Sequence, residues 1–159
     1  MGTTSDLARN ERVIQVVTFD LGEQEFGIDI SSVREIIRMV QATKLPGAPA
    51  FLEGVIELRG HVIPVIDLHN RLGLGVTTPK KEACILILDI VGRTFGVLID
   101  SVKEVLHLPE NVIEPPPVIM VGTDGGCIAS IGKLENEILY LLDANKLISN
   151  NKNQTELSE

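Results

Sequence analysis

Thr18-Phe-Asp-Leu-Gly-Glu-Gln-Glu-Phe-Gly-Ile-Asp-Ile-Ser-Ser-Val-Arg-Glu-Ile-Ile-Arg38 and Ile87-Leu-Asp-Ile-Val-Gly-Arg-Thr-Phe-Gly-Val-Leu-Ile-Asp-Ser-Val-Lys-Glu-Val-Leu-His107 align without a gap, 69 residues apart. Seven of the 21 positions are identical, among them Phe26/Phe95, Gly27/Gly96, Val33/Val102 and Glu35/Glu104. Each copy opens on an apolar, β-branched run, breaks at a glycine and resumes with Phe-Gly, which is the pattern of a β-hairpin. Two unrelated hairpins have no reason to share both Phe-Gly pairs and the residues beyond them, so the chain reads as a duplication. A second echo supports it. His61-Val-Ile-Pro-Val-Ile-Asp67 resembles Glu137-Ile-Leu-Tyr-Leu-Leu-Asp143 at an offset of 76, which gives the second half about seven extra residues. They are expected in the loop from Pro115 to Gly126.

Nearly every other segment also reads as a short strand. Val13 to Leu21, Phe26 to Ile30, Val62 to Leu68, Cys84 to Val91, Phe95 to Ile99 and Ile138 to Leu142 are rich in Val, Ile, Leu and Phe, with glycines between them. About five strands per half suffice for a small closed barrel that leaves few exposed edges. The fold class is therefore all-β, with two intertwined five-stranded barrels and a groove between them. A few short helices are expected. Asp67 and Asp143 are good N-caps for helices ending near Leu72 and Ile148. Ser31 to Arg38 allows a serine-capped helix, or a turn followed at once by a strand from Val33, since β-branched residues favour the latter. The folded part spans 13–148, with a second barrel starting near 83. Residues 1–12 and 149–159 are polar and are expected to be disordered.

Bulk properties exclude several functions. A net charge of −8 over 159 residues disfavours binding to nucleic-acid phosphates or to an anionic membrane surface. Neither apolar run, Val62 to Ile66 or Cys84 to Leu88, approaches the ~20 residues of a membrane-spanning helix, and both stop at an aspartate. No signal-peptide pattern opens the chain, and the two cysteines, Cys84 and Cys127, lie in or beside apolar runs as in a reducing compartment. A cytoplasmic location follows as the expectation.

Catalytic and metal motifs are missing. No phosphate-binding glycine loop, CxxC, HExxH or GxSxG occurs. His61, His69 and His107 lack metal-ligand spacing, and Cys84 sits in an apolar strand where a thiol is inert. Paired aspartates on two duplicated barrels are the serious enzymatic rival, as Asp67 with Asp143 or Asp20 with Asp89. The Asp-Thr/Ser-Gly elbow such a site needs is missing, since Asp100-Ser101 is followed by Val102. No catalytic residue, cofactor or metal is expected.

The remaining distinctive stretch is Gly54-Val-Ile-Glu-Leu-Arg-Gly-His-Val-Ile-Pro-Val-Ile-Asp-Leu68, a hairpin with Arg59 beside its turn. Arginine suits an interface because its planar fork bonds bidentately and sheds water easily. Taken with Phe19-Asp-Leu-Gly-Glu-Gln-Glu-Phe-Gly-Ile-Asp-Ile30, Val33-Arg-Glu-Ile36 and Phe95-Gly-Val-Leu-Ile-Asp-Ser-Val-Lys-Glu-Val105, this ordered succession resembles the CheW family over roughly residues 13–148. One departure is Glu57, where that family usually has Asn.

The resemblance implies two SH3-like barrels and an adaptor without cofactor. Its implied partners are the regulatory domain of a CheA-type histidine kinase and the cytoplasmic tip of methyl-accepting chemoreceptors. It places the adaptor in the cytoplasm, recruited to receptor arrays. A receptor helix would lie in the groove against Val33, Ile36, Cys84, Val102 and Val105, with Gly54, Glu35 and Arg59 completing the receptor-binding set. Glu35 and Arg59 are expected to pair at the groove edge. The plainer reading of the valines is ordinary barrel core.

Overall fold

A computed structural model describes residues 12–75, 81–117 and 126–149. Of the two ends expected to be disordered only Arg12 and Ser149 are described, and both are tied down, Arg12 O accepting from Glu110 N at 2.7 Å and Ser149 O from Arg71 Nη2 at 2.6 Å. The rest of the ends and most of the Pro115 to Gly126 loop lie outside the described residues. Eleven strands and two short helices occur among the described residues. In chain order they are β1 (Val13–Leu21), β2 (Gln24–Asp29), β3 (Val33–Arg38), β4 (Leu52–Leu58), β5 (His61–Asp67), α1 (Leu68–Arg71), β6 (Cys84–Ile90), β7 (Arg93–Ile99), β8 (Ser101–Pro109), β9 (Ile113–Glu114), β10 (Ile128–Lys133), β11 (Ile138–Leu142) and α2 (Ala144–Ile148). They form a six-stranded sheet, β8-β1-β2-β11-β10-β9, and a five-stranded sheet, β3-β6-β7-β5-β4.

The two halves of the chain are interleaved. The β1–β2 hairpin lies in the sheet that β8 to β11 complete, and the β6–β7 hairpin lies among β3, β4 and β5. Each half's closing strand runs parallel to the other half's hairpin: β5 pairs Val65 with Gly96, and β11 pairs Leu141 with Gly27. Those two pairings are the same pairing under the repeat. Bulges repeat as well. Arg34 is the extra residue where β3 meets β6, and Lys103 is its counterpart where β8 meets β1. Such bulges raise the local twist and bend the strand, which helps a sheet curl.

Packing explains the duplicated Phe-Gly. Phe26 and Phe95 fill the large core between the sheets, with Phe19, Leu86, Leu88 and Val97. The next residue along a strand points the opposite way. There a Cβ on Gly96 would stand 2.7 Å from Ile85 Cγ2, and one on Gly27 would stand 3.1 Å from Leu141 Cδ2. Each barrel interior is thus tight at that point, more severely at Gly96 than at Gly27. β6 is buried on both faces: Leu86 and Leu88 join the inter-sheet core, while Ile85 and Ile87 join Ile56, Ile63, Val65 and Leu98 inside the five-stranded barrel. A continuous apolar run is what such a strand requires. Val16, Leu108, Leu139 and Leu141 fill the other barrel.

At Ser31 to Arg38 the turn-then-strand alternative holds. Ile30–Ser32 is a single 3-10 turn capped by Asp29, whose Oδ1 accepts from Ser31 N at 2.8 Å, and β3 begins at Val33. Both expected aspartate caps are present: Asp67 accepts from Asn70 N and Asp143 from Asn145 N.

Candidate binding groove

β3 and β8 are edge strands of their sheets, and they carry equivalent residues of the repeat. Side chains directly opposite in an antiparallel pair share a face. Ile36 stands opposite Leu86, and Val105 opposite Val17, and both of those partners belong to the inter-sheet core. Ile36 and Val105 therefore carry the apolar face of that core outward into solvent, where they remain 47% and 45% exposed. Val33, Cys84 and Val102 are half-buried against the same core.

Cys84 sits on one sheet and Val102 on the other, and a hydrogen bond from the Val102 backbone reaches the Cys84 sulfur. Burial pushes that thiol up, and the Val102 bond opposes it only in part. The uncharged thiol is an apolar wall between the sheets, without the thiolate character a nucleophile needs. Beside it, Ile36, Met39, Lys81 and Cys84 border a shallow depression of about 570 Å³. Met39 escaped the sequence reading, although an apolar residue one step beyond an alternating strand was the available signal.

Glu35 and Arg59 do pair. Arg59 donates through both terminal nitrogens, Nη1 to Glu35 Oε2 and Nη2 to Oε1, the latter at 2.9 Å. Arg59 holds the Glu35 carboxyl below its ordinary value, chiefly through that hydrogen bond, with Arg34 adding attraction. The pair joins β3 to the β4–β5 turn, which are opposite edges of the five-stranded sheet, so it helps close the barrel. A backbone bridge closes the same seam, with Thr43 N to Val55 O at 2.8 Å and Val55 N to Thr43 O at 2.9 Å. The duplicated half has no such ion pair, because Glu104 and Glu135 stand at the equivalent positions.

Gly54 does not join the groove. It is buried in the barrel seam, at φ +152, and a Cβ there would lie 2.4 Å from Thr43 O. Its absent side chain lets two backbones meet, so whatever it contributes to binding passes through the seam.

Two pseudo-equivalent barrels whose edge strands leave Ile36 and Val105 exposed beside the inter-sheet core form a surface suited to binding another protein. No group of three or more His, Cys, Asp or Glu that could hold a metal occurs among the described residues. The CheW-like domain model matches residues 15–152. The chain is 32% identical over 152 residues to the chemotaxis protein CheW of Treponema pallidum, spanning 93% of this chain and 89% of that protein. It is 32% identical to CheW of Klebsiella aerogenes, spanning 94% and 90%. The crystal structure of the scaffolding protein TtCheW from Thermoanaerobacter tengcongensis superposes with a TM-score of 0.81 at 37% identity, covering 88% of this chain and 95% of that one. The chain belongs to the CheW family, and its role is that of a chemotaxis coupling adaptor.

Proposed function

We propose that this chain couples chemoreceptor signalling tips to a CheA-type histidine kinase by non-covalent binding alone, and that the receptor helix lies in the groove between the barrels. The observation that supports this reading is the pair Ile36 and Val105. They occupy equivalent places on two edge strands, continue the inter-sheet core outward, and leave apolar surface uncovered. An amphipathic helix fits such a trough, with its apolar stripe against the valines, Ile36 and Cys84, and polar residues at the rim setting register. Glu35, within β3, pairs with Arg59 at the β4–β5 turn on the face of β3 opposite to Ile36, so the two stand outside the apolar trough as a separate candidate contact. In this reading the protein performs no catalysis, needs no cofactor or metal, and works in the cytoplasm on receptor arrays. None of its described helices is long and apolar enough to cross a membrane.

Ile36→Lys and Val105→Lys, made separately, test the groove. Both positions are about half exposed, so each variant should stay within about 0.5 kcal/mol of the parent in stability. A lysine there must be desolvated when a helix docks, and affinity for a receptor-tip fragment should fall at least about tenfold, the loss of an interface anchor. Kinase affinity should hold. A folded variant that binds the tip like the parent would move the receptor site elsewhere.

A further inference from the structure

Among the described residues the chain passes between the sheets twice, and the two crossings are built differently. Ile30–Ser32 carries β2 into β3 as a surface turn, with Asp29 bonding only locally, to Ser31 N at 2.8 Å and Ser31 Oγ at 2.7 Å. The other crossing is one residue, Asp100, between β7 in one sheet and β8 in the other. It is buried, 4% exposed, and its carboxylate reaches parts of both barrels. Oδ2 accepts from Gly22 N at 2.7 Å, at the β1–β2 turn of the six-stranded sheet. Oδ1 lies 3.0 Å from Nε2 of His69, on the helix that follows β5 of the five-stranded sheet. A carboxylate accepts only, so His69 Nε2 carries the hydrogen. Asp100 N donates to Asp20 O at 3.1 Å, and Ser101 Oγ to Asp20 Oδ2 at the same distance.

The duplicated fold does not require this arrangement. The residues equivalent to Gly22, His69 and Asp100 are Val91, Asn145 and Ser31, which hold neither a carboxylate nor an imidazole. A buried carboxylate is costly unless well partnered, yet this chain keeps one at a crossing that its other half makes with a surface turn. The crossing ends two residues before Val102, which forms one wall of the groove opposite Cys84. We propose that His69 is a positioning residue for the groove: through Asp100 it fixes the entry of β8, and so sets Val102 against Val33 and Cys84 on the other barrel. The inference rests on the groove being the receptor site.

The test uses the full chain and two measurements: the angle between the barrels, from residual dipolar couplings of amides in the two sheets, and affinity for a receptor-tip fragment. His69→Ala should rotate one barrel relative to the other and weaken tip binding at least about fivefold, the low end of couplings between sites. His69→Gln keeps an N–H donor and should restore both. Unchanged couplings in a folded His69→Ala protein overturn the proposal, as does an affinity loss that His69→Gln leaves unrepaired. Should His69→Ala fail to fold, His69→Phe, which keeps a ring at that place but offers no N–H to Asp100, is read by the same two criteria. If the parent itself does not bind the tip, the groove assignment fails, and the dipolar couplings alone decide whether His69 sets the angle.

Discussion

Val91 and Gly92 form the two-residue turn between β6 and β7, flanked by the Ile90–Arg93 pair, and both have positive φ, 49° and 80°. Two consecutive left-handed residues make a turn whose twist matches that of the strands, and Asn-Gly is its favoured occupant. Valine is a poor one, because in the left-handed region its branched Cβ crowds the following carbonyl, at about 1–2 kcal/mol. Nothing offsets this, since the side chain is 92% exposed and has no packing to lose. Val91→Asn should therefore stabilise the chain by about 1 kcal/mol, and raise Tm by about 2–4 °C for a protein of this size. Val91→Ile, equally branched, should gain nothing. Calorimetry with urea unfolding at a single pH reads both variants. A Tm for Val91→Asn at or below the parent's, with an unchanged spectrum, would refute the strain argument.

Two further outcomes follow from the packing and the charges. Gly96→Ala should cost about 1–3 kcal/mol by overpacking, and Gly27→Ala less, because their nearest clashes are 2.7 Å and 3.1 Å; equal losses in urea unfolding would contradict that ranking. Burial, reinforced by the hydrogen bond and charge of Glu137, holds the Glu25 carboxyl above its ordinary value of 4.5, while Lys103 pulls it down. The folded state then keeps this proton to higher pH than the unfolded chain, so stability present in acid is lost as pH rises from 4.5 through the raised value. Glu137→Gln should flatten that loss and leave the variant more stable than the parent at neutral pH. Unfolding curves that stay parallel across the whole pH range would exclude the coupling.

The repeat was legible because barrel interiors tolerate so little. Phe-Gly recurs since one residue must fill the inter-sheet core while the next faces a tightly packed barrel interior. The apolar run at Cys84 read as a strand, and its burial on both faces is what the fold adds. How the halves share strands was not readable, because a gapless alignment shows that two units are alike without showing whose β5 lies beside whose hairpin. At Ser31 to Arg38 local preference left helix and strand open, and pairing of β3 with β6 decided it. As a site residue Gly54 entered only through the family resemblance, whereas the close approach of Thr43, eleven positions earlier, is what demands a glycine there. Glu35 with Arg59 was foreseeable from the family resemblance. His69 with Asp100 was not, since two polar residues 31 positions apart, beside a cap and a strand end, look solvated until the fold buries both.

The exchange of strands sets an order on synthesis. Every strand of the five-stranded sheet has left the ribosome once β7 has, so that barrel can close while the C-terminal third is still being made. Its neighbour must wait, because β1 and β2 emerge first, yet Gly27 pairs with Leu141, made 114 residues later. Throughout that interval the β1–β2 hairpin offers an open edge to whatever strand arrives, including the β11 of another nascent chain. Two such chains could close each other's barrels with the same hydrogen bonds that close one, and only the nearness of a chain to its own end favours the monomer.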